Sequence, residues 1–289
     1  MPLRLPGIRS AVRAVRDGDD PAVEQALALC NELPYHTTSV RAVLQGAQRS
    51  RCLPGTLYLA PDADPRAFAL CGASITVLGD DLEPLLPAVR RAARRCSSLV
   101  GPAEVMARLW PQVRPSFPPA RSVRLHQPVL VWPGEAMDTA VTPLSGPLQV
   151  AQLADTPAVV AAAVAMYTEE MGYDPRRFGQ GYERHIAALV RQGRVYMWRD
   201  YEVPGHPVIF TANIGAVAPP SAEIHGVYTA PAYRGQGIAT RAMAAIVEHI
   251  RSLWNLTPVL YVNDFNRAAR RCYQRVGFTS VGELATVIF

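Results

Sequence analysis

Arg234-Gly235-Gln236-Gly237-Ile238-Ala239 decides the fold of this chain. The run follows a strand-like stretch, Ala222 to Thr229, and opens a helix from Gly237 to about Trp254. In that helix Ala239, Met243, Ile246, Val247 and Ile250 recur with a 3.6-residue period. Two glycines leave backbone N–H groups unscreened by side chains. The helix behind them carries roughly half a positive charge at its start, from aligned peptide dipoles. Such a loop is a cradle for a phosphate or pyrophosphate.

A second pattern stands one helix and one strand further on: Asn266-x-x-Ala269-x-x-x-Tyr273-x-x-x-Gly277-Phe278. The two patterns in this order resemble the GNAT superfamily of acyl-CoA-dependent N-acyltransferases. Arg234, Gly237, Ala239, Asn266, Ala269, Tyr273, Gly277 and Phe278 carry the match. The resemblance implies an α/β (α+β) fold, a mixed, mostly antiparallel sheet flanked by helices. It implies acetyl-CoA as co-substrate, with the pyrophosphate on the N–H groups of Gly235, Gln236, Gly237, Ile238 and Ala239. Arg234 would add charge there and Thr240 a hydroxyl. Val227, Tyr228 and Thr229 would pair with the pantetheine arm on a strand that bulges and splays from the strand at Val259. A backbone N–H near Val227 or Tyr228 would then face the thioester oxygen. Asn266 would reach the pantetheine. Tyr273, two helical turns or ~10 Å beyond it on the same helix face, would protonate the leaving thiolate.

Acyl transfer also needs a neutral amine. Neutralising a lysine-type amine at pH 7 costs about 3 kcal/mol more than neutralising an α-amine. Glu223 stands where the family often places a base. In a regular strand Glu223, His225, Val227 and Thr229 share one face, so His225 is a second candidate. The acceptor would enter over the first helices of this half. There Glu169 and Glu170 would attract an ammonium group, and Tyr167 or Tyr173 would wall the pocket. The expected activity is acetyl transfer to a primary amine, on a small molecule or a protein N-terminus. The alternative is a non-catalytic acyl-CoA-binding sensor, which needs the cradle but not Tyr273.

The bulk numbers agree. The chain has 289 residues, 49% hydrophobic, with net charge +5. All 29 basic residues are Arg, which reads first as a coding bias. The cluster Arg90-Arg91 and Arg94-Arg95 lies opposite Leu86, Val89, Ala93 and Cys96, as on a solvated helix face. Aromatic and basic residues do not interleave, so no nucleic-acid partner is expected. No apolar run reaches the ~20 residues of a membrane span, and the arginine-studded N-terminus lacks a signal-peptide core. A cytoplasmic protein, monomer or homodimer, is expected. The 5 cysteines are odd in number and without a Cys-x-x-Cys pair, which suggests neither a disulfide framework nor a metal site.

A Pro- and Gly-rich stretch predicts a linker at 141–149, between domains at 1–140 and 150–289. After it, Thr156 is expected to cap a helix begun by Pro157. Thr279 to Phe289 is expected to form a final hairpin or pair of strands. In the first half, Thr56 to Leu59 and Phe68 to Leu78 read as strands and Glu83 to Cys96 as a helix. Ser98 to Val100 reads as a strand, Pro102 to Trp110 as a helix, and Ser122 to Trp132 as strand-like. Leu99-Val100-Gly101-Pro102 can be laid on Tyr261-Val262-Asn263-Asp264, which suggests a duplicated, degenerate GNAT-like unit; the alternative is an unrelated accessory α/β domain used for substrate capture or packing. Its glycine cradle is replaced by Gly79-Asp80-Asp81, with Glu104 near the expected Asn and Leu109 or Trp110 near the expected Tyr. The whole chain is similar to actinobacterial two-domain GNAT proteins.

Overall fold

The computed structural model describes residues 12–134 and 148–289. The chain divides into two compact units, neither of them one continuous run. The first comprises the chain up to Val129 with Tyr261–Phe265 and Val281–Phe289; the second comprises Leu130–Leu260 with Asn266–Ser280. Most of the expected linker, 141–147, lies outside the described residues, and Leu148 already begins a strand.

The first half runs β1 (Arg13–Asp17), α1 (Pro21–Cys30), α2 (Thr38–Ser50), β2 (Cys52–Ala60), β3 (Ala67–Cys71), β4 (Ser74–Gly79), α3 (Leu86–Ala92), β5 (Ser98–Pro102), α4 (Ala103–Val113) and β6 (Ser122–Val131). The second half runs β7 (Leu148–Val150), α5 (Thr156–Met171), α6 (Gly181–Arg191), β8 (Val195–Arg199), β9 (Val208–Ala218), β10 (Ser221–Thr229), α7 (Ile238–Trp254), β11 (Thr257–Tyr261), α8 (Arg267–Val276) and β12 (Thr279–Ile288). The order of strands and helices is the same in both. So is the pairing. β1 to β4 are successively antiparallel, as are β7 to β10; β4 then pairs parallel with β5, as β10 does with β11. The first parallel pairs are Ser74 with Ser98 and Ser221 with Thr257. Ser98 therefore corresponds to Thr257, a slip of the expected alignment of Leu99 with Tyr261.

Several local expectations are corrected. Phe68 to Leu78 is not one strand but a hairpin, β3 and β4, turning where the Gly72 N–H donates to the Ser74 carbonyl (3.1 Å). Glu83 to Cys96 is a 3-10 turn, Glu83–Leu85, followed by the shorter α3. Thr156 is not a cap: it is already helical, and its hydroxyl donates to the Leu153 carbonyl (2.8 Å). The cap hydrogen bonds come one turn earlier, in a box between Gln152 and Asp155. The expected hairpin is instead a single strand, β12, over Thr279–Ile288. Its Leu284 to Ile288 pair antiparallel with Pro102 to Ser98 of β5, in the first unit. Residues 12–50 hold β1, α1 and α2.

Each unit buries its own apolar layers. In the first, Val23, Ala26, Leu44, Leu57 and Phe68 form one cluster, and Ile75, Val89, Leu99, Met106 and Leu109 another. In the second, Val159 and Ala163 of α5 pack with Ile186 and Leu189 of α6 and with Val195 and Met197 of β8. α7 buries Ala242, Met243, Ile246, Val247 and Ile250, one stripe of the helix.

Candidate active site

β10 is paired with β11 only from Ser221–Thr257 to Glu223–Val259. Beyond Glu223 no further β10–β11 pairs follow, and β10 stays with β9 alone. That second pairing is irregular. His225 faces Asn213 and Tyr228 faces Thr211, so Gly226 and Val227 together oppose one residue of β9. This is a β-bulge, which bends the strand and re-aims its backbone groups. Gly226 takes φ +59°, and a Cβ there would stand 2.9 Å from Asn213 Nδ2. The expected bulge and splay of the strand through Val227, Tyr228 and Thr229 are both present. Backbone N–H groups released from a ladder in this way are free to serve a bound thioester arm.

The glycine loop has the geometry of an anion cradle. Gly235 (φ +77°) and Gly237 (φ +75°) are both left-handed, and a Cβ on either would meet open space. Gly237 is the N-cap of α7 and supplies no side-chain cap. The first N–H groups of α7, at Ile238, Ala239 and Thr240, therefore keep their hydrogen-bonding capacity. Arg234 stands beside them. Its Nε donates to the Thr229 carbonyl (2.9 Å) and its Nη2 to Glu169 Oε2 (2.7 Å). Gln236 is turned back, its Nε2 donating to the Ala232 carbonyl (3.2 Å). Its side chain is therefore bound to its own loop, and only its backbone is offered. Thr240 corrects an expectation: its hydroxyl donates to Cys272 Sγ (3.5 Å), fastening α7 to α8 rather than facing the cradle.

α8 begins at a side-chain cap. Asn266 Oδ1 accepts from the Ala269 N–H (3.1 Å), which leaves its exposed Nδ2 able to donate to a ligand amide. Gly277 (φ +100°) ends the helix in the left-handed conformation. Between them Tyr273 is buried on the inner face, edge-on to Phe278 at 6.0 Å. Burial, with the nearby Cys272 and Glu170 adding to it, raises the Tyr273 pKa. Its proton is held at neutral pH, as a proton donor to a thiolate requires.

The structure brings the two base candidates together. Glu223, buried, meets Nε2 of the half-buried His225 through Oε1. Burial acts to lower the His225 pKa, but the Glu223 charge and hydrogen bond outweigh it and the pKa is raised. Gly215 of β9 lies beneath the ring; a Cβ there would collide with it. The pair is therefore one acid–base unit. His185 of α6, which no sequence pattern marked, has its pKa lowered by burial and then by the charge of His225. Met166 of α5 lies over the bulge, its Cε 3.6 Å from where a Gly226 Cβ would stand.

On the expected acceptor side the two acids part company. Glu169 is paired with Arg234, which lowers its pKa, so its carboxylate is turned to the glycine loop. Glu170 acts on Tyr182 and Tyr273, raising the pKa of both after burial has done so. Tyr173 lies 5.6 Å from Tyr167, the two hydroxyls 2.9 Å apart, and Tyr167 is 5.0 Å from Tyr182. A groove of ≈ 770 Å³ along α5, past Val164, Thr168, Asp174 and Glu183, meets the site only at Glu169.

Among the described residues no helix is long and apolar enough to cross a membrane, and no group of three His, Cys, Asp or Glu is placed to hold a metal ion.

Comparison with known proteins places this arrangement. Residues 163–278 match the acetyltransferase (GNAT) family, and residues 60–154 match a domain of unknown function, DUF4081. Solved structures with the same fold include a GCN5-related N-acetyltransferase from Sphaerobacter thermophilus, at TM-score 0.59 and 18% identity, covering 98% of this chain and 96% of that one. An acetyltransferase of the GNAT family from Colwellia psychrerythraea gives 0.57 at 12% identity, over 96% and 99%. A tandem GNAT protein from the clavulanic acid biosynthesis pathway gives 0.56 at 11% identity, over 96% and 98%. No curated protein matches the chain. The chain thus carries a GNAT acetyltransferase domain in residues 163–278, preceded by a DUF4081 domain.

Proposed function

We propose that this protein transfers the acetyl group of acetyl-CoA directly to a primary amine. The observation that carries the reading is the splay of β10 from β11 after Glu223, with the Gly226–Val227 bulge leading into an uncapped, left-handed glycine loop. Acetyl-CoA supplies the activated thioester. Arg234 and the N–H groups from Gly235 to Ala239 hold its pyrophosphate, and Asn266 and the backbone of Val227 to Thr229 hold its pantetheine. A β10 N–H at Val227 or Tyr228 stabilises the oxyanion as the amine nitrogen attacks the carbonyl carbon. The C–S bond then breaks, and Tyr273 gives its proton to the sulfur. The proton lost by the attacking amine passes to the His225–Glu223 pair, directly or through water. Glu170 and the tyrosines at 167, 173 and 182 border the acceptor. Tyr273 also favours an enzyme over a binding-only sensor, because binding does not require a proton donor.

The test is a panel of small amines and peptide α-amines with acetyl-CoA, reading free thiol release. Turnover with at least one acceptor, lost in Tyr273→Phe, supports the reading. Tight acetyl-CoA binding without turnover on any amine would turn it toward the sensor.

A further inference from the structure

Asn213 of β9 is only 6% exposed, yet among the described residues its carboxamide has no hydrogen-bond partner. Unlike the sealed Tyr196 hydroxyl, its polar atoms open onto that small exposed area. A buried amide left unpaired is costly and rare in a folded chain, so this one is placed for a group that binds. Its position says which. Asn213 stands directly across from His225 in the β9–β10 register, at the last pair before the bulge. Residues so paired project from the same face of a sheet, with Cβ atoms about 4.5–5.5 Å apart. Asn213 Nδ2 comes within 2.9 Å of where a Gly226 Cβ would stand, and Met166 Cε within 3.6 Å of the same point. Nδ2 is the nearer branch of the carboxamide, so Oδ1 is the one directed away from Gly226. The carboxamide therefore borders both the proposed proton acceptor and the bulge that re-aims the N–H groups of Val227 and Tyr228.

We infer that Asn213 binds the attacking nitrogen, its Oδ1 accepting the N–H that His225 does not take, and that it thereby restricts the acceptor to primary amines. The inference rests on the proposed acetyl transfer. A neutral primary amine has one lone pair and two N–H groups. With the lone pair on the carbonyl carbon, one N–H is directed at the His225–Glu223 pair and is the proton lost. The other is held by Asn213 and stays on nitrogen in the amide product. A secondary amine carries carbon in place of one N–H and leaves Oδ1 without a donor.

The experiment measures kcat/KM for primary amines beside their N-methyl derivatives: benzylamine with N-methylbenzylamine, and an alanyl peptide with its N-methylalanyl counterpart. It uses the full-length protein, Asn213→Ala and Asn213→Leu. A buried acceptor left unpaired costs about tenfold or more. The wild type should therefore prefer the primary amine by about tenfold or more, and both variants should lose that preference by losing rate on the primary amine. Acetyl-CoA affinity by calorimetry should not change, which also reports that the variants are folded. Leu keeps the volume of Asn without its polar atoms, so a preference set by crowding alone would survive in Asn213→Leu. That variant should also melt no earlier than the wild type, because it removes an unpaired buried amide; an asparagine kept for packing would cost stability when replaced. Equal rates of the wild type on primary and N-methyl amines, an equal loss on both in the variants, or a preference that survives in Asn213→Leu would overturn the role of Asn213 and leave the acetyl-transfer reading intact. No turnover of any amine by the wild type would overturn both.

Discussion

Arg234 and Glu169 form an ion pair of 2.7 Å between the residue that opens the glycine loop and the end of α5. The acid expected to receive the acceptor thus holds the base expected to receive the pyrophosphate. Glu169→Gln should strengthen acetyl-CoA binding, because the guanidinium no longer has to leave a carboxylate. An exposed pair contributes about 0–1 kcal/mol, so the gain should be no more than about fivefold by calorimetry. Weaker binding would mean that Glu169 holds Arg234 in the binding posture.

The Glu223–His225 pair makes a pH prediction. Glu223 raises the His225 pKa above its ordinary 6.5. The pair accepts a proton only once His225 is neutral, so kcat/KM should rise with pH through a midpoint above 6.5. In Glu223→Gln the charge is gone and burial alone acts, so the midpoint should move below 6.5. A ring-proton NMR titration of His225 in both proteins reads this directly. A midpoint that does not move would exclude the pair as the coupled unit.

Tyr273→Phe should lower kcat by about 10²–10⁴-fold and leave acetyl-CoA affinity unchanged. The hydroxyl acts as charge develops on sulfur, so its loss falls on the transition state. Steady-state rates beside calorimetry separate the two effects. An unchanged kcat would show that the thiolate takes its proton elsewhere.

Gly226→Ala tests the bulge. A side chain at φ +59° with Asn213 Nδ2 at 2.9 Å must either strain or reset the strand. The left-handed conformation alone costs about 1–2 kcal/mol, visible as a lower midpoint in chemical denaturation. Turnover should fall further than that loss explains, because the N–H groups of Val227 and Tyr228 would be re-aimed.

Gly237→Glu, by contrast, enters open space at φ +75°. The fold should tolerate it at a similar backbone cost. Acetyl-CoA binding should be abolished, since a carboxylate would occupy the pyrophosphate position. Retained binding would remove the glycine loop from the site.

The parts of the site that were legible in the sequence are those set by local chemistry. Two left-handed glycines before a helix, and Asn266 with Tyr273 along one helix, are fixed by residues close together in the chain. The roles of Glu169 and Thr240 were not legible, because the partners that claim them, Arg234 and Cys272, come from distant elements. His185 sits in an ordinary amphipathic helix and is marked only by the strand packed against it. The same limit applied to the fold. The hairpin at Gly72 turns on a single glycine within an apolar run, too faint to break the pattern. β12 read as a hairpin because its partner, β5, lies in the other half of the sequence.

That last pairing has a consequence for biosynthesis. The first unit takes in Val281–Phe289, and the second takes in Leu130 to Gly134 from ahead of β7. A ribosome therefore releases β5 long before β12, which borders it, exists, and the first unit stays unfinished until Val281–Phe289 has been made. Cutting the gene between its halves would separate β5 from β12, its partner. Removing residues 281–289 should therefore damage the first unit, although the deletion is remote in sequence from β5.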